Sequence, residues 1–344
     1  MNDHTIRNME EFSLLSGISR PTLSKYFNDP ASVRASTRAQ IEQALKRYDY
    51  RPNLFAVNLN KRKPKIIGLL VPDLGDPFFA QLVRLVEKRC IAAGLFLMVL
   101  SSGGEAGLEA RAVETLLSFN IAGAVLAPLG RSSKGGLIQS LQARIPVVFV
   151  DSRLDEADAF VGTDNRQSIG LITDYLCRTG ERPTFVDMPP VNHNAAERRA
   201  AYVATMEALG LQPEIVPVPA GRDWNFEEVG FTAAAAVLDG PTGFPTRTLL
   251  CANDRIATGV MAAAFGRGIR VGREPGCGLR VAGHDDQPLS RYACPPLTTV
   301  AQDFAGLAGA ALDILLARID GGPEAERKAG QVRLDARLVM RASA

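Results

Sequence analysis

Acidic, amide and guanidinium side chains recur beside aromatic ones at positions suited to gripping a hydroxyl-rich molecule. Asp73 and Asp76 precede Phe78 and Phe79. Asp151 and Arg153 follow one apolar run, Asn253 a second and Asp285 a third. Arg198 opens a helix, and Trp224, the only tryptophan, lies in the loop Gly221-Arg222-Asp223-Trp224. Carboxylates and amides serve two adjacent hydroxyls at once, while a flat aromatic face packs on the apolar face of a ring. Arg131, after Ala127-Pro128-Leu129-Gly130, joins this set. Each has a plainer reading. Asn253-Asp254 also suits a helix cap, Asp285-Asp286 a turn, and Trp224 the core.

Catalytic chemistry finds less support. The chain has 3 histidines: His4, His193 and His284. His284 beside Asp285-Asp286 invites a metal or acid–base role, but no second ligand cluster accompanies it. No Gly-x-Ser-x-Gly, Gly-x-x-x-x-Gly-Lys-Ser/Thr or His-Glu-x-x-His occurs, and Gly103-Gly104 with Gly107 lacks the dinucleotide spacing. We therefore expect no catalytic residue, no metal and no cofactor. The 5 cysteines are widely spaced without Cys-x-x-Cys, which suits free buried thiols in a reducing compartment. The N-terminus lacks an apolar signal region, and no apolar run is long enough to span a bilayer. A cytoplasmic protein without membrane contact is expected.

The elements that must position these residues alternate. Strands are expected at 66–71, 95–100, 123–126 and 146–150, with helices at 77–93 and 108–119. A second series follows, with helices at 167–178, 195–209, 226–238 and 254–265 and strands at 184–186, 215–218, 248–251 and 279–282. A last strand is expected at 332–338. Short buried strands alternating with helices imply parallel sheets covered on both faces. Two series imply two doubly wound halves with ligand at the carboxyl ends of the strands.

The first 63 residues differ in charge. They hold 11 Lys and Arg against 6 Asp and Glu, a net of +5, while the whole 344-residue chain carries only +2. A basic head on a weakly acidic body points to a polyanion. Asn8 with Glu11 begins a helix that Gly17 ends; Ser19 caps a second, with Pro21 in its first turn; a third starts near Ser36. Two short helices joined by a glycine turn, plus a third, form a DNA-reading unit.

The string Gly17-Ile18-Ser19-Arg20-Pro21-Thr22-Leu23-Ser24-Lys25-Tyr26-Phe27-Asn28 resembles the head of LacI/GalR-type bacterial repressors, Gly-Val-Ser-x-x-Thr-Val-Ser-Arg-x-Leu-Asn in its usual form. Ser36-Thr37-Arg38 and Tyr50-Arg51-Pro52-Asn53 extend it, and the resemblance continues through the body. Departures are Lys25, where Arg is usual, and Glu10-Glu11-Phe12, where small residues are commoner. The resemblance implies an α/β fold: an all-α helix-turn-helix head plus a periplasmic-binding-protein-like body of two doubly wound subdomains. The expected divisions are 1–50 for the head, 51–64 for a hinge and 65–344 for effector binding and dimerisation. Within the body, 65–164 and 300–328 form the first subdomain and 165–299 and 329–344 the second, with crossings near Asp164, Val300 and Lys328.

The same resemblance implies roles. Arg20, Pro21 and Lys25 read bases in the major groove, and Ser19, Thr22, Ser24 and Asn28 suit phosphate contacts. Tyr50 and Asn53 lead into a hinge helix in which Ala56 and Leu59 enter the minor groove, Leu59 as a wedge. Phe78, Phe79, Asp151, Arg198, Trp224, Asn253, Asp285 and Gln302 bind effector. The partners implied are a pseudo-palindromic DNA operator, a small effector and a second copy of the chain, paired through 78–93 and 256–265. Acidic residues with few pocket arginines favour a neutral mono- or disaccharide that releases the repressor. A purine-responsive corepressed regulator is the alternative. A sugar-modifying enzyme or a transport component would leave the basic head unexplained.

Overall fold

Asn8 starts the first helix, α1 (Met9–Ser16), by accepting the Glu11 amide at 2.9 Å, and Gly17 ends it at φ 69°. A left-handed C′ position favours glycine because no Cβ meets the turn. Ser19 then caps α2 (Arg20–Asn28), and α3 (Ala35–Tyr48) closes the head. Phe12, Leu23 and Ile41 are completely buried between the three helices, and Phe12 stacks on Tyr50 with centroids 4.5 Å apart. Each such side chain contributes about 1.5–3 kcal/mol by leaving water. So small a unit has few others to spare.

The computed structural model describes residues 6, 8–51, 64–130, 133–155, 159–218, 224–321 and 330–344. Asn53, Ala56 and Leu59 of the expected hinge, and Arg131, lie outside the described residues.

In the body, β1 (Ile66–Val71), β2 (Phe96–Ser101), β3 (Gly123–Leu126), β4 (Val147–Val150), β5 (Phe160–Thr163) and β11 (Gln331–Leu334) form one parallel sheet. Its order is β11-β5-β4-β3-β1-β2. Side chains alternate across β1: Ile67, Leu69 and Val71 pack into one core, Ile66 and Leu70 into another. The first core takes α4 (Pro77–Ala92) and α11 (Phe304–Asp320); the second takes α5 (Ala106–Ser118) and α6 (Gly135–Gln142). α6, α11 and β5 are not among the expected elements.

The other half is a four-stranded parallel sheet of β6 (Thr184–Val186), β7 (Glu214–Val216), β8 (Thr248–Cys251) and β9 (Arg280–Ala282), in the order β7-β6-β8-β9. Two helix pairs pack with it, α7 (Asn165–Thr179) with α8 (His193–Ala208) and α9 (Phe226–Leu238) with α10 (Asp254–Phe265). α9 and α10 meet backbone to backbone. A Cβ on Gly230 would lie 2.3 Å from the Ile256 carbonyl, and one on Gly259 2.1 Å from that of Glu227. Only glycine permits this approach. It also turns most of α10 inward, leaving Thr258, Ala262 and Phe265 as its exposed residues. These three, spaced four and three apart, form the one outward stripe of the 256–265 segment expected for pairing.

The tail corrects one expectation. The strand expected over 332–338 is two strands. β11 pairs with β5, whereas β12 (Arg337–Val339) pairs antiparallel with β10 (Thr299–Ala301) beside the second sheet. The third crossing therefore falls at Asp335-Ala336, not near Lys328. The alternating run Val332-Arg333-Leu334-Asp335-Ala336-Arg337-Leu338 reads as one strand, and its pattern does not reveal that its two ends pair with different sheets. All 5 cysteines are free thiols. Among the described residues, no helix is long and apolar enough to cross a membrane and no cluster could hold a metal ion.

Candidate functional site

The carboxyl ends of both sheets face each other, and the expected effector residues meet there. Asp76 caps α4: one carboxylate oxygen accepts the Phe78 amide at 2.9 Å, the other the Arg255 guanidinium at 3.1 Å. Asp151, held at φ 64° after β4, accepts the Asn194 amide at 2.8 Å from the opposite half. Arg198 uses all three nitrogens, donating to the Asn165 side chain at 3.1 Å, the Ala252 carbonyl at 2.8 Å and Asp285 at 3.1 Å. Asp285 also accepts Gln302 Nε2 at 2.7 Å, while Gln302 Oε1 accepts the Thr163 hydroxyl. Asn253 caps α10 through the Ile256 amide at 2.8 Å and lines the same space. Its capping and cleft positions coexist.

Aromatic rings supply the other wall. Phe78 meets Phe79 edge-on at 5.0 Å, Phe79 lies 6.0 Å from Trp224, and Trp224 lies 5.5 Å from Phe226. Trp224 is buried and fits against Gly104 of the other half, where a Cβ would come within 2.0 Å of the indole. The space lined by these groups measures about 30 Å³, far below the roughly 300 Å³ at which ordinary ligand pockets begin. The halves are closed on each other. Asp73 stands apart from this group. It accepts the Gly75 amide at 2.8 Å and lines a mouth of about 780 Å³ with Gly104, Trp224 and Arg255.

Burial acts on the carboxyls unequally. It pushes Asp76 up to about 6 against the pull of Arg255, and Asp151 to about 7 against Arg198. Asp254, behind the cleft, is likewise raised to about 7 by burial and by the charge of Asp285, although Ser290, Thr299 and the Gln287 amide donate to it. Burial also opposes ionisation of Asp285, but Arg198, His284 and Gln302 outweigh it and hold this carboxyl below its ordinary range. Burial and Arg198 lower His284 to about 4, so the neutral ring donates Nδ1–H to Asp285 and accepts the Ser168 hydroxyl at Nε2. His284 is a buried positioning group for Asp285.

On the head, Arg20, Pro21, Ser24 and Lys25 are exposed along α2. The Ser19 and Thr22 hydroxyls bond each other at 2.8 Å. Arg20 lies 3.8 Å from Glu10 of α1. Asn28 ends α2, and its side chain lies outside the described residues. Tyr50 is 7% exposed and its ring stacks on Phe12, so its apolar body packs in the core of the head.

Two family models match the chain: "Bacterial regulatory proteins, lacI family" over residues 8–53 and "Periplasmic binding protein-like domain" over 167–344. The chain belongs to the lacI family of bacterial regulatory proteins. As a member it is a DNA-binding transcriptional regulator, and the family is not one of enzymes. It is 28% identical to the ribose operon repressor of Escherichia coli K12, over 90% of this chain and 92% of that protein. It is 27% identical to the HTH-type transcriptional regulator PtxS of Pseudomonas plecoglossicida, over 97% and 95%. A lac repressor dimer bound to operator and the anti-inducer ONPF superposes with a TM-score of 0.81 at 25% identity, covering 98% of each chain.

Several cleft residues of this lacI-family chain escaped sequence reasoning. Asn165, Asn192, Asn194 and Arg255 each approach it from a helix start. Asn192 carried a usable signal, since an Asn before a helical run is a cap. Arg255 carried none, because an arginine on a helix ordinarily reads as a solvated surface residue.

Proposed function

We propose that this regulator is a repressor released from its operator by a small neutral sugar, a mono- or disaccharide, held in the cleft between its halves. One observation carries this reading: Asp151, Arg198, Asn253 and Asp285, from four separate segments, line one space together with Phe78, Phe79 and Trp224. Such a set offers paired acceptors and donors to hydroxyls and flat faces to a ring. The relative named for the ribose operon supports it.

A space of about 30 Å³ does not admit a sugar, so ligand enters when the halves part. Ligand then acts through its different affinity for the DNA-competent and DNA-incompetent arrangements. Two heads on a homodimer read the half-sites of a pseudo-palindrome, in the cytoplasm. Arg20 and Lys25 contact bases beside Pro21, while Ser19, Thr22, Ser24 and Asn28 contact phosphates. Asn53, Ala56 and Leu59 belong to the hinge in this reading, and Asp73 and Arg131 to the residues that bind effector.

The test is a thermal-shift screen against neutral mono- and disaccharides, sugar acids, sugar phosphates and purines. Hits then enter an operator-binding assay. A neutral sugar that raises Tm and weakens operator binding supports the proposal. A response confined to purines, acids or phosphates overturns the choice of effector. A sugar that tightens operator binding overturns release.

A further inference from the structure

We propose that the end of the C-terminal half remote from the cleft holds a second binding site, for a small anion bearing a phosphate or carboxylate group, centred on Arg280 and Arg273. The strands β6, β8 and β9 start at this end and run to the cleft, where Asn253 and Asp285 follow them. Strands of three or four residues separate the two ends by roughly 10–13 Å. A cavity of about 480 Å³ opens here between the end of α7, the start of β8 and the loop Gly272–Arg280. That is the size of an ordinary small-molecule pocket.

Its cations are incompletely matched. Glu181 is fully engaged by Arg247, which donates its backbone amide at 3.0 Å, Nε at 3.2 Å and Nη2 at 3.0 Å. Glu274, on the exposed loop, is the other carboxylate lining the cavity. Neither Arg273 nor Arg280 forms an ion pair among the described residues. Arg280 gives Nη2 to the Thr179 hydroxyl at 2.9 Å, and that hydroxyl is spent on the Tyr175 carbonyl. Its Nε and Nη1 are covered by protein and have no acceptor among the described residues.

A covered guanidinium without an acceptor is costly, and an anion is what relieves it. Gly180 makes the placement possible, since a Cβ there would lie 1.6 Å from Nη1. Burial depresses the Arg280 pKa and Arg273 adds to this, while Tyr175 and Glu181 offset only part of it. An anion entering the cavity meets Arg273 at its exposed side and draws the Arg280 guanidinium toward it. The cleft plays no part in this site, so it stands or falls apart from the sugar reading.

Calorimetric titration of the full chain with inorganic phosphate, and separately with succinate, at ionic strength held constant with KCl tests it. One probe or both should bind saturably at one per chain, and the stronger probe names the head-group chemistry. Arg280→Met, which keeps the stem and removes the charge, should weaken that binding at least tenfold. Arg273→Ala, on an exposed residue, should weaken it at least threefold and decides the matter if Arg280→Met does not fold. Arg144→Ala, at an exposed cation of the first half, should leave it unchanged. Absence of saturable binding of both probes, or equal binding by the Arg273 and Arg280 variants, overturns the proposal.

Discussion

Asp76 and Arg255 meet across the cleft, Oδ2 to Nη1 at 3.1 Å, and each belongs to a different half of the body. Arg255 is held at the same time by Glu227 of its own half at 2.6 Å. Asp76–Arg255 is therefore, with Asp151–Asn194, a contact that a parting of the halves must break. Asp76→Asn keeps the α4 cap, because Asn caps as well as Asp, and removes the charge facing Arg255. Glu227 still holds Arg255, and burial already lifts the Asp76 carboxyl to about 6, so a neutral amide at 76 loosens the contact between the halves without lowering Tm at neutral pH. In solution scattering the variant should show a larger radius of gyration. An unchanged radius would show that other contacts hold the cleft shut.

Stability should fall as pH rises toward neutrality. Asp76 and Asp151 have folded pKa values of about 6 and 7, above the ordinary 3.8. Between pH 4 and 7 the folded state thus binds more protons than the unfolded state, and deprotonation disfavours it. Asp254, also raised to about 7, acts in the same sense. His284, lowered to about 4, acts oppositely between pH 4 and 6.5, since the unfolded chain then takes up its proton. Three groups oppose one, so Tm should be higher at pH 5.5 than at pH 7.5. Asp76→Asn should flatten this slope. A slope untouched in that variant would remove Asp76 from the account.

Gly104 sits at φ 76° with the Trp224 indole where its Cβ would be. Gly104→Ala should keep the halves from closing while leaving each core intact. The single tryptophan then reports directly. Its emission should shift to the red as the ring is exposed to water, and far-ultraviolet circular dichroism should stay as in the parent. Parent-like emission would mean that the ring and the Gly104 loop accommodate a methyl.

Leu23 is fully buried in a head whose core holds few other large side chains. Leu23→Ala should cost about 2–5 kcal/mol, most or all of what so small a unit possesses. Operator binding should be lost while the body's melting transition is preserved. A head that still binds DNA would show that it draws stability from the body or from the operator.

Glu10 lies 3.8 Å from Arg20 with both side chains largely exposed. Such a pair is worth about 0.2–1 kcal/mol, which competes with any contact between Arg20 and DNA. Glu10→Gln should tighten operator binding by up to about fivefold at low salt, and the gain should shrink as salt screens the pair. Arg20→Ala should reduce discrimination between operator and unrelated DNA. Unchanged discrimination would remove Arg20 from base reading.

Much of this protein could be read along the chain. Asn8, Gly17, Ser19 and Pro21 punctuate the head because caps and turns obey the chemistry of a few adjacent residues. The helix expected at 254–265 is α10, residue for residue, since Asn253 starts it and an apolar stripe continues it. The alternation of short apolar strands with helices announced two parallel sheets, and Asp151, Asn253 and Asp285 stood at strand ends where ligands gather. Other features arose only on folding. A short run such as Phe160–Thr163 became a strand because β4 and β11 flank it, and 331–339 split between two sheets. Tyr50 packs in the head's core because Phe12 lies 38 residues earlier yet beside it in space. Arg255 joined the cleft because α9 and α10 touch through glycines and aim it at Asp76. Periodicity and capping are local and survive in sequence. Which side chain meets which across a cleft depends on packing between distant segments, and only the tertiary structure decides it.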